Sequence, residues 1–569
     1  MTGDRNPDDD HGADHGADHG PDQGPGQGAD QGADRGDDQG ADHKADRGAD
    51  QGAEVVDEEP ESAADGRAAM DKQHVRGSVL LLVGRLLSLA FTVATQIIVI
   101  RALSKADFGV FAYALTLVAS GRILLSLGQG KLLSRFMSTY EEQRDYPRMF
   151  GSMFLAVGTI IVTSTVTISV LALFADELLG ATFDDPRAVS VLLVLMFLAP
   201  LEALDQVFVS LFAVFSKPRA IFFRKYLLTP GLRLVVVLAL VAFGGDVYWL
   251  AAGYVGTGVF GIIIYVTLLR RVLRERGILQ HLRLRRIVWP WREVFAFSIP
   301  TLTNELVILV THMGTVFLLG FYQGAVEVAE YRAVFPAARL NQVVYQTFVT
   351  LFLPMAARLY ARSEYSGLRD AYWRSAVFVA VFTFPVFAMT GVFGQSTTVT
   401  LFGERYESSG PVLIVLSVGY YINMALGFNV YVLQIYGRLR YLVLSNLAAA
   451  VLNLPLAALL IYRYGALGAA VATAVTMIAQ NVVNQFVLTS TSRAHTDSRT
   501  SFLRPYLVIA ATTGALVAVE LAFEPGILAA LAVTAVAALV VLRLARRWLH
   551  LADTFPELLK VPILGRLVR

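Results

Sequence analysis

The sequence predicts an all-α polytopic membrane protein with about fourteen transmembrane helices, and three observations support this fold class. Apolar residues make up 55% of the chain, and its mean hydropathy is +0.53. From Val79 onward, apolar stretches recur that are each about twenty residues long, enough for a helix to cross ~30 Å of hydrocarbon. The joins between these stretches alternate between rich and poor in Lys and Arg, as in multi-pass proteins.

The first element, residues 1–73, is predicted to be a disordered acidic tail on the cytoplasmic side. Residues 1–70 carry 20 Asp or Glu against 5 Lys or Arg, and residues 12–53 repeat a Gly-Ala-Asp unit with almost no large apolar side chain. Such a composition cannot offset the entropy of ordering. The histidines of the repeat are better explained as polar filler than as metal ligands. Because the first apolar run starts only behind this tail, we expect no cleavable signal peptide.

The apolar segments themselves follow in order. They are predicted at 78–100, 107–128, 149–175, 188–215, 222–244, 247–269, 294–320, 328–356, 373–394, 411–434, 441–462, 465–489, 504–523 and 525–545. Joins after even-numbered segments, counted with their immediate flanks (216–225, for example, which includes Arg224), hold 25 Lys and Arg, whereas joins after odd-numbered segments hold 5. Since basic joins stay in the cytoplasm, both termini are predicted to be cytoplasmic in a multi-pass protein of the cell (plasma or inner) membrane.

A weak internal repeat divides the chain. A shift of 220 residues, from Asp107 to Glu327, places the first two segments on segments 7 and 8. We therefore predict two pseudo-symmetric six-helix bundles, at 74–292 (including a basic linker) and 293–490. Residues 491–569 should add helices 13 and 14 and an amphipathic cytoplasmic tail.

Several short motifs resemble a known family. In the first half these are Gly84-Arg85-Leu86 and the run Arg101-Ala102-Leu103-Ser104-Lys105-Ala106-Asp107-Phe108-Gly109-Val110-Phe111. In the second half they are Leu401-Phe402-Gly403 with Tyr406, Gly437-Arg438, Asn453-Leu454-Pro455 and the run Tyr464-Gly465-Ala466-Leu467-Gly468-Ala469-Ala470-Val471-Ala472-Thr473. In order and spacing they resemble the polysaccharide and O-antigen (Wzx-type) flippases, the polysaccharide-transporter branch of the multidrug/oligosaccharidyl-lipid/polysaccharide exporter superfamily.

This resemblance implies a V-shaped pair of six-helix bundles, alternating access, and a lipid-linked oligosaccharide carried by undecaprenyl or dolichol phosphate. Membrane lipids and this substrate are then the expected partners, with H⁺ or Na⁺ as a candidate coupling ion. Polysaccharide polymerases or glycosyltransferases are candidate protein partners, and no nucleic acid is expected. The acidic repeat tail departs from the family pattern.

Arginines within the apolar segments are the candidate substrate-binding residues. A charge at the centre of a membrane helix costs ~2.5–3.5 kcal/mol, so such residues should face protein or a watery cavity. Guanidinium can pair bidentately with the phosphate oxygens of a lipid-linked glycan. Arg85, Arg122 and Arg339 are the favoured candidates, whereas Arg332 and Arg233 fit a structural ion pair equally well. Arg122 lies in the middle of segment 2 and Arg339 in the middle of segment 8, so one cation from each bundle is expected to face a shared cleft.

Polar side chains within other segments suggest further roles. Gln342 and Gln346, close to Arg339, are candidate glycan contacts. Glu305, Asp205 and Glu202 are candidates for ion coupling, although salt bridges would explain them too. The many amides of segments 10 to 12 are predicted mainly to join helices by hydrogen bonds.

Two other classes of function remain open. A cation-coupled multidrug or small-molecule antiporter of the same superfamily would favour an acidic chamber and generally has twelve helices. A membrane enzyme would need catalytic residues on a long outer join, and none is evident, so no catalytic residue is assigned. The sequence contains no cysteine, which excludes disulfides and thiol catalysis, and no cofactor or metal site is predicted.

Overall fold

The structure is a computed structural model, and it describes residues 84, 87–174, 186–215, 222–491 and 499–549. The chain divides into the units Met1–Arg67 and Ala68–Arg569, and every described residue belongs to the second. The predicted tail 1–73 and the end of the predicted amphipathic segment, 550–569, lie outside these residues. Within them every regular element is helical, which confirms the all-α class.

The first half of the described chain forms eight helices, which we number α1 to α8. They are α1 (Leu87–Ala102), α2 (Lys105–Leu125), α3 (Gln129–Glu142), α4 (Tyr146–Leu173), α5 (Pro186–Met196), α6 (Leu198–Val214), α7 (Thr229–Phe243, preceded by a π-helical stretch Phe222–Leu228) and α8 (Val247–Glu275).

Local sequence sets several of these boundaries. Ser104 caps α2 by accepting a hydrogen bond from the backbone N–H of Asp107 at 3.1 Å. Asp145 and Asp246 cap α4 and α8 in the same way. Each cap satisfies a backbone donor that has no partner within its own helix, so these three helices start where the sequence supplies an oxygen acceptor.

The second half forms seven helices and the end of the chain two more. They are α9 (Trp291–Arg339), α10 (Asn341–Ala361), α11 (Tyr365–Phe387, continued by a π-helical stretch Ala388–Val392), α12 (Gly394–Phe402), α13 (Gly410–Ala425), α14 (Asn429–Ile435), α15 (Leu439–Thr491), α16 (Arg499–Phe523) and α17 (Ile527–Leu549).

Two glycines fold the longest helices back on themselves. At about 1.5 Å per residue, α9 and α15 would each exceed 70 Å if straight, more than twice the thickness of the hydrocarbon layer. Gly324 (φ 78°) and Gly465 (φ 54°) interrupt them with backbone conformations that other residues rarely adopt. The two turns lie side by side, because Glu327 accepts a 2.6 Å hydrogen bond from the N–H of Ala466.

The helices pack into one helical body. α2 lies against α9 with very close backbone approach next to the Gly324 turn: a Cβ on Gly109 would lie 1.8 Å from the carbonyl oxygen of Ala325. The terminal pair packs on α11, where Ile509, Ala530 and Val541 join the buried cluster around Phe384. Ten helices of the described chain are long and apolar enough to cross a membrane; the count of fourteen crossings stays a prediction.

Candidate functional site

Two arginines share one face of α9 beyond the Gly324 turn. The Cζ atoms of Arg332 and Arg339 lie 5.3 and 5.6 Å from the ring centroid of Phe335, which stands between them in sequence. Residues spaced by three and four positions lie on the same side of a helix, so this cluster follows directly from the sequence. Arg332 is half-buried and Arg339 exposed. We call Arg332, Phe335 and Arg339 the arginine pair site.

The arginine pair site is supported by helices from the rest of the second half. Phe335 packs edge-on against Tyr420 of α13 at 6.3 Å, and Tyr331 shares a hydrogen bond with Thr473 of α15 at 3.3 Å. Gln342, a predicted glycan contact, accepts a hydrogen bond from Nε of Arg339 at 3.4 Å. The aromatic neighbours supply faces for the guanidinium groups but no formal negative charge.

No carboxylate of the described residues forms an ion pair with either arginine. Among the described residues, every ion pair within 4 Å involves other cations, and neither Arg332 nor Arg339 takes part in one. Two cations within reach of the same ring repel each other, which costs free energy unless water or an anion compensates. The arrangement can therefore bind an anion.

Arg122 and Arg339 occupy matching places in the two halves. Each lies in the last turn of its helix, where the carbonyl ends favour a cation, and each precedes a break in the helix. After α2 the chain turns at Leu127 (φ 43°) and Gly128 (φ 72°). The helices that follow these two arginines also have corresponding packing partners: α3 packs on α4 and α6, and α10 packs on α11 and α13.

Arg122 differs in one respect from its predicted setting. α2 ends at Leu125, so the residue lies in the final turn and not in the middle of the segment. The meeting of one cation from each half in a shared cleft stays a prediction. Arg85 lies outside the described residues.

A second charged cluster lies between α6, α7 and α8 and is neutralised internally. Arg224 pairs with Asp205 at 2.9 Å and Arg233 pairs with Glu202 at 3.0 Å. The guanidinium groups also stack over tyrosine rings of α8, Arg224 over Tyr265 at 5.0 Å and Arg233 over Tyr254 at 4.9 Å. We call this set the paired cluster.

The backbone around the paired cluster is shaped for Arg224. Its side chain is only 3% exposed and starts from the π-helical stretch Phe222–Leu228, a feature that is frequent at functional sites. A Cβ on Gly261 would lie 1.7 Å from Nη2 of Arg224, so the guanidinium fills the space that a larger residue would need. The count of basic joins places Arg224 at the cytoplasmic surface; the structure corrects this, because the residue is buried.

The ion pairs of the paired cluster bear on the roles predicted for its members. For Arg233 the sequence allowed either a cavity or a structural ion pair, and the bond to Glu202 favours the ion pair. Glu202 and Asp205 were candidates for ion coupling, and both are bound by arginine here. Glu305 is half-buried on α9.

The end of the molecule where α1 meets α2 carries a reciprocal contact between the two halves. Arg101 donates from Nε to the carbonyl oxygen of Leu401 at 3.0 Å and from Nη2 to that of Thr400 at 2.5 Å. In return Arg405 donates to the carbonyl of Leu103 at 2.9 Å and to that of Arg101. These acceptors lie at the ends of α1 and α12, where carbonyls have no partner within the helix.

An ion pair and an aromatic contact lie beside these hydrogen bonds. We call the whole set the arginine exchange. Lys105 pairs with Glu330 at 2.8 Å, and Ser408 donates to the same carboxylate at 2.6 Å. Phe108 packs edge-on against Tyr406 at 6.4 Å. The motif around Phe108 in the first half and the motif around Tyr406 in the second therefore meet. Sequence analysis did not assign Arg101, Lys105 or Arg405 to a site.

The amides of segments 10 to 12 join helices, as predicted for most of them. Asn429 donates to Asn481 at 3.1 Å, Asn481 donates to the carbonyl of Asn423 at 2.9 Å, and Gln480 donates to Asn446 at 2.8 Å. These bonds fix α13, α14 and the two parts of α15 against each other. Their amides are thus occupied within the protein and are poor candidates for contacts to a glycan.

Comparison with known proteins gives a family and a fold. A family model described as "Polysaccharide biosynthesis protein" matches residues 74–360. No curated protein matches the chain. No group of three or more His, Cys, Asp or Glu that could hold a metal ion occurs within the part of the chain that the structure describes.

Two solved structures are similar over most of their length. The lipid II flippase MurJ in an inward closed conformation has a TM-score of 0.63 at 12% identity, covering 85% of this chain and 100% of that one. An inward-facing multidrug resistance MATE family transporter of the MOP superfamily has a TM-score of 0.59 at 14% identity, covering 73% of this chain and 98% of the other. At these identities the similarity shows the fold alone.

Proposed function

This chain belongs to the polysaccharide biosynthesis protein family, and from that premise we propose that it is a flippase for a lipid-linked oligosaccharide. It would move an undecaprenyl- or dolichol-phosphate-type glycan from the cytoplasmic to the outer leaflet for the assembly of cell-surface polysaccharide. The family match and the superfamily fold support a multi-pass membrane flippase or transporter. The nature of the substrate rests on the arginine pair site.

The observation that carries the proposal is the contrast between two kinds of arginine. Arg224 and Arg233 are neutralised by carboxylates of their own helical bundle, whereas Arg332 and Arg339 both lie over the ring of Phe335 without an ion pair to a carboxylate in the described chain. A phosphate or diphosphate supplies the missing negative charge, and guanidinium binds it through paired hydrogen bonds. Gln342, which accepts a hydrogen bond from Arg339, and Gln346 follow on α10 and would contact the sugars.

The antiporter alternative fits the charges less well. A chamber for cationic compounds needs carboxylates that are free to bind them, yet Glu202, Asp205 and Glu330 are each ion-paired with a cation of this chain. For coupling to H⁺ or Na⁺ we keep Glu305, Asp205 and Glu202 as proposed residues. In the paired cluster, protonation of a carboxylate would release its arginine, which is the kind of change that coupling requires.

Alternating access would use the arginine exchange as its outer contact. The alternation of basic joins puts both termini in the cytoplasm, and the end where α1 meets α2 then faces outward. Exposed hydrogen bonds to backbone carbonyls can be replaced by water when the two halves separate, so the contact can open at modest cost.

The proposal is tested by transport in proteoliposomes. The purified protein is reconstituted with a radiolabelled polyprenyl-diphosphate oligosaccharide, and its transfer between leaflets is followed by the access of an externally added glycosidase. We expect transfer by the parent and little by Arg332→Gln/Arg339→Gln. Arg358→Gln is the matched control, since Arg358 lies on α10 and, among the described residues, donates to the carbonyl of Pro354 in its own helix. Efflux of cationic drugs without glycan transfer would support the antiporter instead.

A further inference from the structure

The linker between α8 and α9 packs against α4 along one side. His281 stacks on Tyr146 of α4 at 4.4 Å with 9° between the rings, and the N–H of Val288 donates to the carbonyl of Pro147 at 3.4 Å. A Cβ on Gly151 would lie 1.9 Å from the carbonyl oxygen of Val288, so the linker backbone rests directly on α4. Ile278 is buried in the core beneath it.

The opposite side of the linker combines cations with large apolar side chains. Arg283, Arg285 and Arg286 are exposed, and none of them forms an ion pair with a described residue. Val288 is 48% exposed and Trp289 and Trp291 are each 53% exposed. Arg292 lies over the ring of Trp291 at 5.1 Å.

The linker itself contributes no acidic side chain to this surface. Residues 276–292 contain no Asp or Glu. The next carboxylate, Glu293, accepts a 3.0 Å hydrogen bond from Tyr140 of α3. Burial and the neighbouring Glu293 carboxylate raise the pKa of Tyr140 to about 12, so Tyr140 keeps its proton and this bond at physiological pH. Arg276, in turn, is held by Glu141 at 2.5 Å and adds nothing to the exposed charge.

The position of the linker indicates that it lies next to the membrane surface. It joins the ends of two long helices, one of which begins at Trp291, and it therefore lies where these helices leave the hydrocarbon layer. Tryptophan is enriched at this depth, and clustered cations next to a membrane helix attract anionic headgroups by about 1 kcal/mol each, or roughly fivefold in local concentration.

We propose that the α8–α9 linker is a binding surface for anionic phospholipid headgroups of the adjoining leaflet. Arg283, Arg285 and Arg286 contact the phosphates, while Trp289 and Trp291 insert at the level of the glycerol backbone. Since the linker connects the two six-helix halves, a bound leaflet would hold this connection against the membrane surface. The proposal does not depend on which substrate the protein carries.

Tryptophan fluorescence in nanodiscs tests this contact. The chain has five tryptophans, so Trp249, Trp373 and Trp548 are changed to Phe, which leaves Trp289 and Trp291 as the reporters. Brominated phosphatidylglycerol or brominated phosphatidylcholine is added at the same mole fraction, because bromine quenches tryptophan on contact. We expect the anionic lipid to quench about twofold more strongly or better. Raising the ionic strength should reduce the difference.

Two variants test whether the linker arginines cause the preference for the anionic lipid. Arg283→Gln/Arg285→Gln/Arg286→Gln should abolish the preference for the anionic lipid. Arg438→Gln/Arg440→Gln removes exposed cations from another basic join and should leave it unchanged. Equal quenching by both lipids in the parent would overturn the proposal, as would a preference that survives in the linker variant. If the triple variant does not elute as the parent does, Arg285→Gln alone should show a partial loss, and an unchanged preference would count against the proposal.

Discussion

At the scale of single residues, the arginines of this protein divide by what neutralises them. Arg224 and Arg233 meet carboxylates within 3.0 Å, whereas Arg332 and Arg339 meet an aromatic ring and, in the described residues, no carboxylate. The first kind stabilises a bundle, and we propose that the second binds substrate. The distinction leads to different expectations for their substitution.

Replacing Asp205 with Asn should destabilise the protein more than replacing both partners of its ion pair. The single variant leaves Arg224 charged, only 3% exposed and without its partner, which typically costs about 3–5 kcal/mol for a buried pair. The partial exposure of Asp205 places the expected value at the lower end. In Asp205→Asn/Arg224→Gln the stranded charge is gone, so much of the loss should be recovered. Denaturant unfolding in detergent measures both; additive effects would contradict the coupling.

Two substitutions of Arg339 should show whether glycan transfer needs only its positive charge or also the planar geometry of its guanidinium. Arg339→Lys keeps the cation but loses the planar fork that binds phosphate bidentately, so it should retain part of the transfer that Arg339→Ala abolishes. Initial rates of glycan transfer in proteoliposomes provide the measurement, with the amount of inserted protein determined in parallel. Equal activity of parent and Ala variant would exclude Arg339 from the substrate site. Arg122→Ala tests in the same assay whether the first half also contributes a cation.

At the scale of helices, close approach explains one of the motif glycines. Gly109 of α2 lies so near α9 that a Cβ would stand 1.8 Å from a backbone carbonyl, that of Ala325. Backbone cannot rotate away as a side chain can, so the two helices would have to separate. Gly158 of α4, by contrast, has no atom within 4 Å of the position of a Cβ.

Alanine at these two glycines should therefore have opposite effects. Gly158→Ala should be neutral or stabilising by up to about 1 kcal/mol, because alanine favours a helix over glycine. Gly109→Ala should lower stability, since the overlap with Ala325 outweighs that gain. Thermal unfolding followed by circular dichroism compares the two, and a Gly109→Ala protein as stable as the Gly158→Ala protein would show that α2 and α9 do not require this contact.

At the scale of the whole molecule, the arginine exchange should bias the protein toward a closed outer end. Glu330 belongs to this contact, and Ala333, one turn farther along the same face of α9, is fully buried. Because the natural sequence has no cysteine, Ala333→Cys provides a single reporter thiol without further changes. In the background Arg101→Ala/Arg405→Ala, a membrane-impermeant maleimide should label this thiol several times faster from outside.

Arg463→Ala is the control for this prediction. Arg463 is an exposed cation at the Gly465 turn, on the same side of the bundles, but it takes no part in the arginine exchange. Its removal should leave the labelling rate unchanged. A rate that rises equally in both backgrounds would attribute the effect to charge, and no rise in the double variant would show that other contacts keep the outer end closed.

Much of the architecture follows from the sequence because its physical causes are local. Hydropathy and length predict the helices. The turn at Gly324 falls between two predicted segments, and the turn at Gly465 falls on the first residue of one. The match between Arg122 and Arg339 also follows, since both precede a break in the helix. Cross-chain pairs do not: no spacing rule joins Arg224 to Asp205 or Arg101 to Leu401. In the sequence, Arg224 looks like an arginine of a cytoplasmic join, because its burial results from packing against Gly261, which is distant along the chain.

The arginine exchange also makes a prediction about natural sequence variation. Its arginines donate to the backbone carbonyls of residues 101, 103, 400 and 401, and every amino acid carries such a carbonyl. Positions 103, 400 and 401 can thus drift among side chains of similar helix preference without loss of the contact. Correlated substitution should link Lys105 with Glu330, whose side chains meet, and should be missing between Arg405 and its acceptors. A contact of this kind would escape detection by covariation although it joins the two halves of the protein.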